Sequence, residues 1–351
     1  MKPSRIAIAV AALQLCVAAP AIANSADGEA IYTQRCAVCH GDSGRPDPNS
    51  PVVSALGVTP ADFSDPLFNS REPLQDWEMV IEHGGWALGL SDQMPAQGEA
   101  LSDEEVRAVA AYVKTLADTT GFPPGEMNLM LPIRTKKAFP EDEVVYQGRW
   151  SDDNGIDIYK GVLEIEMRVG RRGQVIVELV HESVDGDNEL EEIELGYKHV
   201  LMSSETQILS AAAVVAIPTD SDGEEELQTY LAWGAAPSPN WTFQSSLTLK
   251  TPFDDPDSGE IELAGIAHYT HSPWPRRVFP ALEVTATRPL DSSNGDTEWT
   301  AMPQVRVGLT RGGHVALNVG VEYPISGQDW DERYYLTLLW DFADGSFFQG
   351  W

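Results

Sequence analysis

The chain has 351 residues, with 54 acids against 23 lysines and arginines and a formal charge of −31. An acidic balance of that size excludes nucleic acid as a partner, because phosphates demand a basic face. The length suits about two domains, and three cysteines exclude a scaffold built on disulfides.

Lys2 and Arg5 precede an apolar run over residues 6–18, and Ala21-Ile22-Ala23 has the small-x-small form of a cleavage site. Residues 1–23 are therefore expected to be a secretory signal peptide. Cys16 lies inside the apolar run and would leave with it. Leu15, just before that cysteine, is not small, which argues against a lipoprotein signal. Only Cys36 and Cys39 then remain. No later run of about 20 apolar residues predicts a membrane helix.

Residues 24–120 read as a compact helical domain, with a first helix over residues 26–34. Cys36-Ala37-Val38-Cys39-His40 follows at once. Two cysteines two residues apart with a histidine directly after form the c-type haem attachment pattern. Each thiol can add to one vinyl group, and the imidazole is then placed to ligate the iron. A zinc site would want a second Cys or His pair at similar spacing, and the sequence has none. Ser102 with Glu105 predicts a capping box. Behind it Val106, Val109, Ala110, Val113 and Leu116 recur at helical spacing. Gln93-Met94-Pro95-Ala96 stands just ahead of that last helix.

These features resemble class I cytochrome c over nearly the whole of residues 24–120. The resemblance implies one covalent haem c per chain on Cys36 and Cys39. It implies iron ligation by His40 and Met94, and a soft thioether ligand favours electron transfer over oxygen chemistry. His83, in Glu82-His83-Gly84-Gly85, is the rival ligand, though it also suits the end of a helix before a glycine pair. Trp77, Trp86 and Phe63 could line the haem cleft or simply fill a core.

Residues 121–140 hold Pro123, Pro124, Pro132 and Pro140 with Gly121 and Gly125, which suits a linker or plug-like segment. Lys136 and Lys137 within it read most simply as solvated.

Residues 141–351 are expected to be all β. Val315, Leu317, Val319, Val321 and Tyr323 alternate with Ala316, Asn318, Gly320 and Glu322, and Tyr334, Leu336, Leu338 and Trp340 alternate likewise. About twelve such runs occur, most of about ten residues or more, which exceeds the usual soluble strand and matches outer-membrane barrel strands. The terminal Phe347-Phe348-Gln349-Gly350-Trp351 resembles an outer-membrane assembly signal. The connections alternate too. Those at 151–157, 185–189, 220–226, 254–260, 291–298 and 327–332 are acidic, and those at 170–173, 203–206, 237–240, 272–277 and 311–313 are short, basic or neutral. A barrel with both termini in the periplasm predicts that sorting, and the acidic outer loops would attract cations.

Twelve tilted strands enclose a tube roughly 24 Å across between backbones, too narrow for a domain of about 32 Å. The helical domain should therefore hang beneath the barrel. The expected fold is a small all-α class I cytochrome c followed by an antiparallel transmembrane β-barrel. At the level of architecture it looks like the fused monohaem cytochrome–porins used in iron oxidation. It departs from them in a shorter barrel and a full cytochrome domain. The expected function is single-electron transfer with periplasmic redox partners at the outer membrane, rather than catalysis on a substrate of its own. The alternatives are oxidation of an external reductant such as ferrous iron, and a soluble periplasmic cytochrome with an accessory β-domain. His181, His199, His268, His271 and His314 show no pairing in the sequence.

Overall fold

The computed structural model describes residues 25–153, 155–220, 223–270, 278–291, 297–326 and 330–349. The signal segment with Cys16, the connections at 221–222, 271–277, 292–296 and 327–329, and the terminal Trp351 lie outside them.

Among the described residues six α-helices open the fold: α1 (Ser25–Arg35), α2 (Ala37–His40), α3 (Pro51–Leu56), α4 (Pro66–Arg71), α5 (Leu74–His83) and α6 (Asp103–Lys114). The Ser102 hydroxyl accepts from Glu105 N, and Glu105 Oε2 accepts from Ser102 N at 2.8 Å, so the expected capping box starts α6. Val106, Val109, Ala110 and Val113 of α6 pack with Tyr32 of α1 and with Trp77 and Ile81 of α5. Gly28 makes the α1–α6 crossing possible: a Cβ there would lie 2.2 Å from Ala108 O.

Twelve strands then close into an antiparallel barrel among the described residues, β1 pairing with both β2 and β12. They are β1 (Glu143–Asp153), β2 (Ile156–Val169), β3 (Gly173–Val184), β4 (Asp187–Ser203), β5 (Gln207–Pro218), β6 (Glu226–Ser238), β7 (Trp241–Pro252), β8 (Glu260–Tyr269), β9 (Val278–Pro289), β10 (Glu298–Gly308), β11 (Val315–Pro324) and β12 (Arg333–Asp341). Closure sets Glu143 opposite Asp341 and Trp150 opposite Tyr334. The period of two decides what each face meets. Along β7, Thr242, Gln244, Ser246 and Thr248 are buried inside, while Trp241, Phe243, Leu247 and Leu249 are exposed outside. A polar interior with an apolar exterior is the pattern of a bilayer-spanning barrel, whose closure also leaves no unpaired strand edge in lipid. No helix among the described residues is long and apolar enough to cross a membrane.

The lumen is filled. Met127 and Asn128 both take positive φ, 59° and 55°, and turn the chain upward into the barrel. Leu129, Ala138 and Phe139 pack on Ile176, Val200, Ile208, Val214 and Tyr230 of the inner wall. At the far reach of this segment Arg134 pairs with Glu262 and, at 2.9 Å, with Glu322. Thr135 donates through both N and Oγ1 to Glu283 at 2.6 Å. Wall side chains bind the segment's own backbone: Gln244 Nε2 donates to Met130 O, Asn318 Nδ2 to Leu131 O, and Lys198 Nζ to Lys137 O and Phe139 O. Lys137, expected in solvent, is buried and pairs with Glu141 and Glu126. Its acid partners are local; what the sequence does not announce is that wall residues distant in the chain, Lys198 and Gln244, bind the backbone of this segment and hold it inside the lumen. His268 and His314 are likewise buried.

The helices sit at the end of the barrel bearing the short connections. Arg71 pairs with Asp344 and donates to Ala343 O at 3.3 Å. The Arg311 guanidinium lies 4.1 Å from the Trp86 ring, and Arg171 Nη1 donates to Thr120 O at 2.8 Å. The described parts of the acidic connections lie at the opposite end.

Candidate functional site

Helix α1 delivers the cysteine–histidine motif. Cys36 N donates to Tyr32 O at 2.8 Å, and the one-turn helix α2 carries Cys39 and His40 directly after it. Both cysteines are free and half-buried. Burial pushes the Cys36 thiol up to about 11, with nearby Arg35 opposing. His40 is buried, and its Nδ1 lies 3.1 Å from Ala61 O. A carbonyl can only accept, so Nδ1 carries the proton and Nε2 keeps its lone pair for a metal. Burial lowers the imidazole pKa, which holds the neutral, ligating form. Phe63 stacks on the ring at 4.3 Å between centroids.

Met94 comes from the loop ahead of α6, which two glycines hold in place. Gly84 has φ +84°, and a Cβ on it would lie 2.9 Å from Met94 O; Gly85 N donates to that same oxygen at 3.0 Å. His83 ends α5 immediately before this pair.

Cys36, Cys39, His40 and Met94 all border one cavity of about 660 Å³, within the range of cofactor pockets. Phe63, Phe68, Trp77, Val80, Val109 and Val113 give it an apolar wall, while His83 and Trp86 do not border it. Two free thiols, a neutral imidazole with one open nitrogen and a thioether around one apolar cavity are a donor set that fits a haem c. Among the described residues no group of three or more His, Cys, Asp or Glu could hold a metal.

The sequence did not reveal that this cavity continues into the barrel. Glu126, Leu129 and Lys137 of the luminal segment and Glu143, Phe279, Arg306 and Leu339 of the strands border it as well. Beside it Glu72 is raised by burial and by the charge of Glu126, and Asp344 is raised by burial and by Glu72. Arg71 pairs with Asp344 and Asp341 among these carboxylates.

Residues 23–113 match the family model described as cytochrome C oxidase, cbb3-type, subunit III. The helical part is thus a cytochrome c domain, which implies haem binding. Among solved structures, an outer membrane channel from Pseudomonas putida F1 is similar at 12% identity and a TM-score of 0.46, covering 60% of this chain and 98% of that one. The KdgM porin is similar at 12% identity and 0.42, covering 56% and 98%, and the NanC porin at 9% and 0.41, covering 56% and 97%. The outer-membrane barrel rests on its own strand pairing and apolar exterior, with the exported cytochrome domain at its mouth.

Proposed function

We propose that the chain is an outer-membrane single-electron carrier that holds one covalent haem c at the periplasmic mouth of its barrel. One observation carries the reading: Cys36, Cys39, His40 and Met94 border a single apolar cavity. When bound, haem c supplies one reversible one-electron couple. Cys36 and Cys39 would tether it by thioethers. His40, its ring fixed by the Ala61 carbonyl, would offer Nε2 to the iron, and Met94, on the loop seated against Gly84 and Gly85, would offer its thioether. The aromatic and aliphatic lining keeps water from the site. Thioether ligation closes the iron to small ligands, so the chain passes electrons to periplasmic redox partners rather than converting a substrate.

Oxidation of an external reductant is the second reading. Its support is the acidic interior, where Glu164, Glu178 and Glu194 surround Lys136, a field that would draw cations. Two measurements separate the readings. Met94→Ala should lower the haem potential and open the sixth site, and an unchanged visible spectrum would reject that ligand. Ferrous ions added to detergent-solubilised protein should leave the haem oxidised if it is only a carrier; prompt reduction would favour the second reading.

A further inference from the structure

We propose that Arg306, on barrel strand β10, binds a propionate carboxylate of the haem, so that the barrel completes the cofactor site. The inference rests on the haem reading above. A haem has its vinyl groups and its propionates on different edges. Thioethers at Cys36 and Cys39 therefore turn the carboxylates away from those cysteines, toward the rest of the cavity lining. Part of that lining is the barrel mouth: Phe279, Arg306, Gly308, Gly313 and Leu339.

A carboxylate taken out of water there needs a cation. The site is also crowded with its own acids, since Glu126, Glu143 and Asp341 border the same cavity. Four cations line it. Arg71 is occupied by Asp344 and Asp341, and Lys137 by Glu141 and Glu126. Arg35 is exposed beside Cys36 and donates to Gln97 Oε1 at 3.3 Å. Arg306, unlike the exposed Arg35, is half-buried in the barrel wall, and it has no carboxylate within ion-pair distance among the described residues; its hydrogen bond runs from Nη2 to Gly313 O at 3.3 Å. Gly308 and Gly313 bring no side chain to that wall, and a Cβ on Gly313 would meet nothing within 4 Å. A guanidinium with spare donors is suited to hold a carboxylate through two parallel hydrogen bonds. The cofactor would then join two domains that the sequence presents as separate.

The test is the haem midpoint potential of the full-length, membrane-assembled protein and its variants. A positive charge at a propionate favours the ferrous state. Arg306→Gln should therefore lower the potential, and Arg306→Lys should restore most of it, with the haem still covalently attached in both. An unchanged potential in assembled R306Q overturns the proposal. If R306Q does not assemble, redox-difference infrared spectroscopy of the wild type, with isotope-labelled propionates, decides. A carboxylate that stays ionised through the neutral range supports the pairing, and one that protonates there overturns it. Absence of covalent haem in the wild type would instead overturn the haem reading itself.

Discussion

Arg71, the last residue of α4, reaches out of the cytochrome domain to the carboxylate of Asp344, three residues beyond the last strand of the barrel. The backbone repeats the tie, with Glu126 N donating to Arg71 O at 3.0 Å. One arginine thus joins the helices, the start of the luminal segment and the closing strand.

Arg71→Ala should loosen this junction. It leaves Asp344 and Asp341 without their cation, and losing a charge-assisted hydrogen bond in a partly exposed pair costs about 1–3 kcal/mol. Limited proteolysis should then cut within residues 115–126 much faster, while strand pairing persists. Equal cutting rates in R71A and wild type would show that the pair does not hold the domains.

Acid should tighten the same junction. Burial and mutual repulsion raise Glu72 and Asp344 above their ordinary values. A group raised on folding contributes stability that is present below its ordinary pKa and lost as pH rises through the folded value. Amide exchange around residues 343–346, corrected for intrinsic rates, should therefore slow as pH falls through the raised values toward the ordinary carboxylate range. Exchange that quickens over that interval would reverse the sign.

The luminal segment should block conduction. Arg134 and Thr135 engage Glu262, Glu283 and Glu322 near the far reach of the lumen. Deleting residues 128–139 should convert a barrel of low conductance in planar bilayers into an open, cation-preferring channel. Arg134→Ala should show intermittent opening, since Glu262 and Glu322 lose their partner. Identical conductance in the deletion and the wild type would show that ions pass beside the segment.

Gly28→Val should uncouple α1 from α6. With Ala108 O 2.2 Å from any added Cβ, the helices must part at a cost of about 1–3 kcal/mol or more. Thermal unfolding followed in the haem absorbance should shift down, with barrel mobility on gels unchanged. A haem-domain transition at the wild-type temperature would refute this.

What the sequence made legible was local. The Cys36–His40 motif, the Ser102–Glu105 box and the glycines before Met94 are signals within a few residues, and the strand period of two repeats along each strand. The loop sorting was readable because barrel topology sends successive connections to opposite ends. What stayed hidden depends on pairings far apart in sequence. Lys137 read as solvated because nothing nearby announces that the segment is lined by β3, β4 and β7. Likewise, nothing in the alternation of β10 distinguishes Arg306 from any inward polar residue, and no local pattern reports that the haem cavity continues under the barrel.

The most direct test of the account is membrane fractionation with haem staining of denaturing gels, comparing wild type with the Cys36→Ala, Cys39→Ala double variant. The account predicts covalent haem in the outer-membrane fraction, on a band whose mobility changes with heating, and no stain in the double variant. Haem in the soluble periplasmic fraction, or stain surviving the loss of both cysteines, would contradict it.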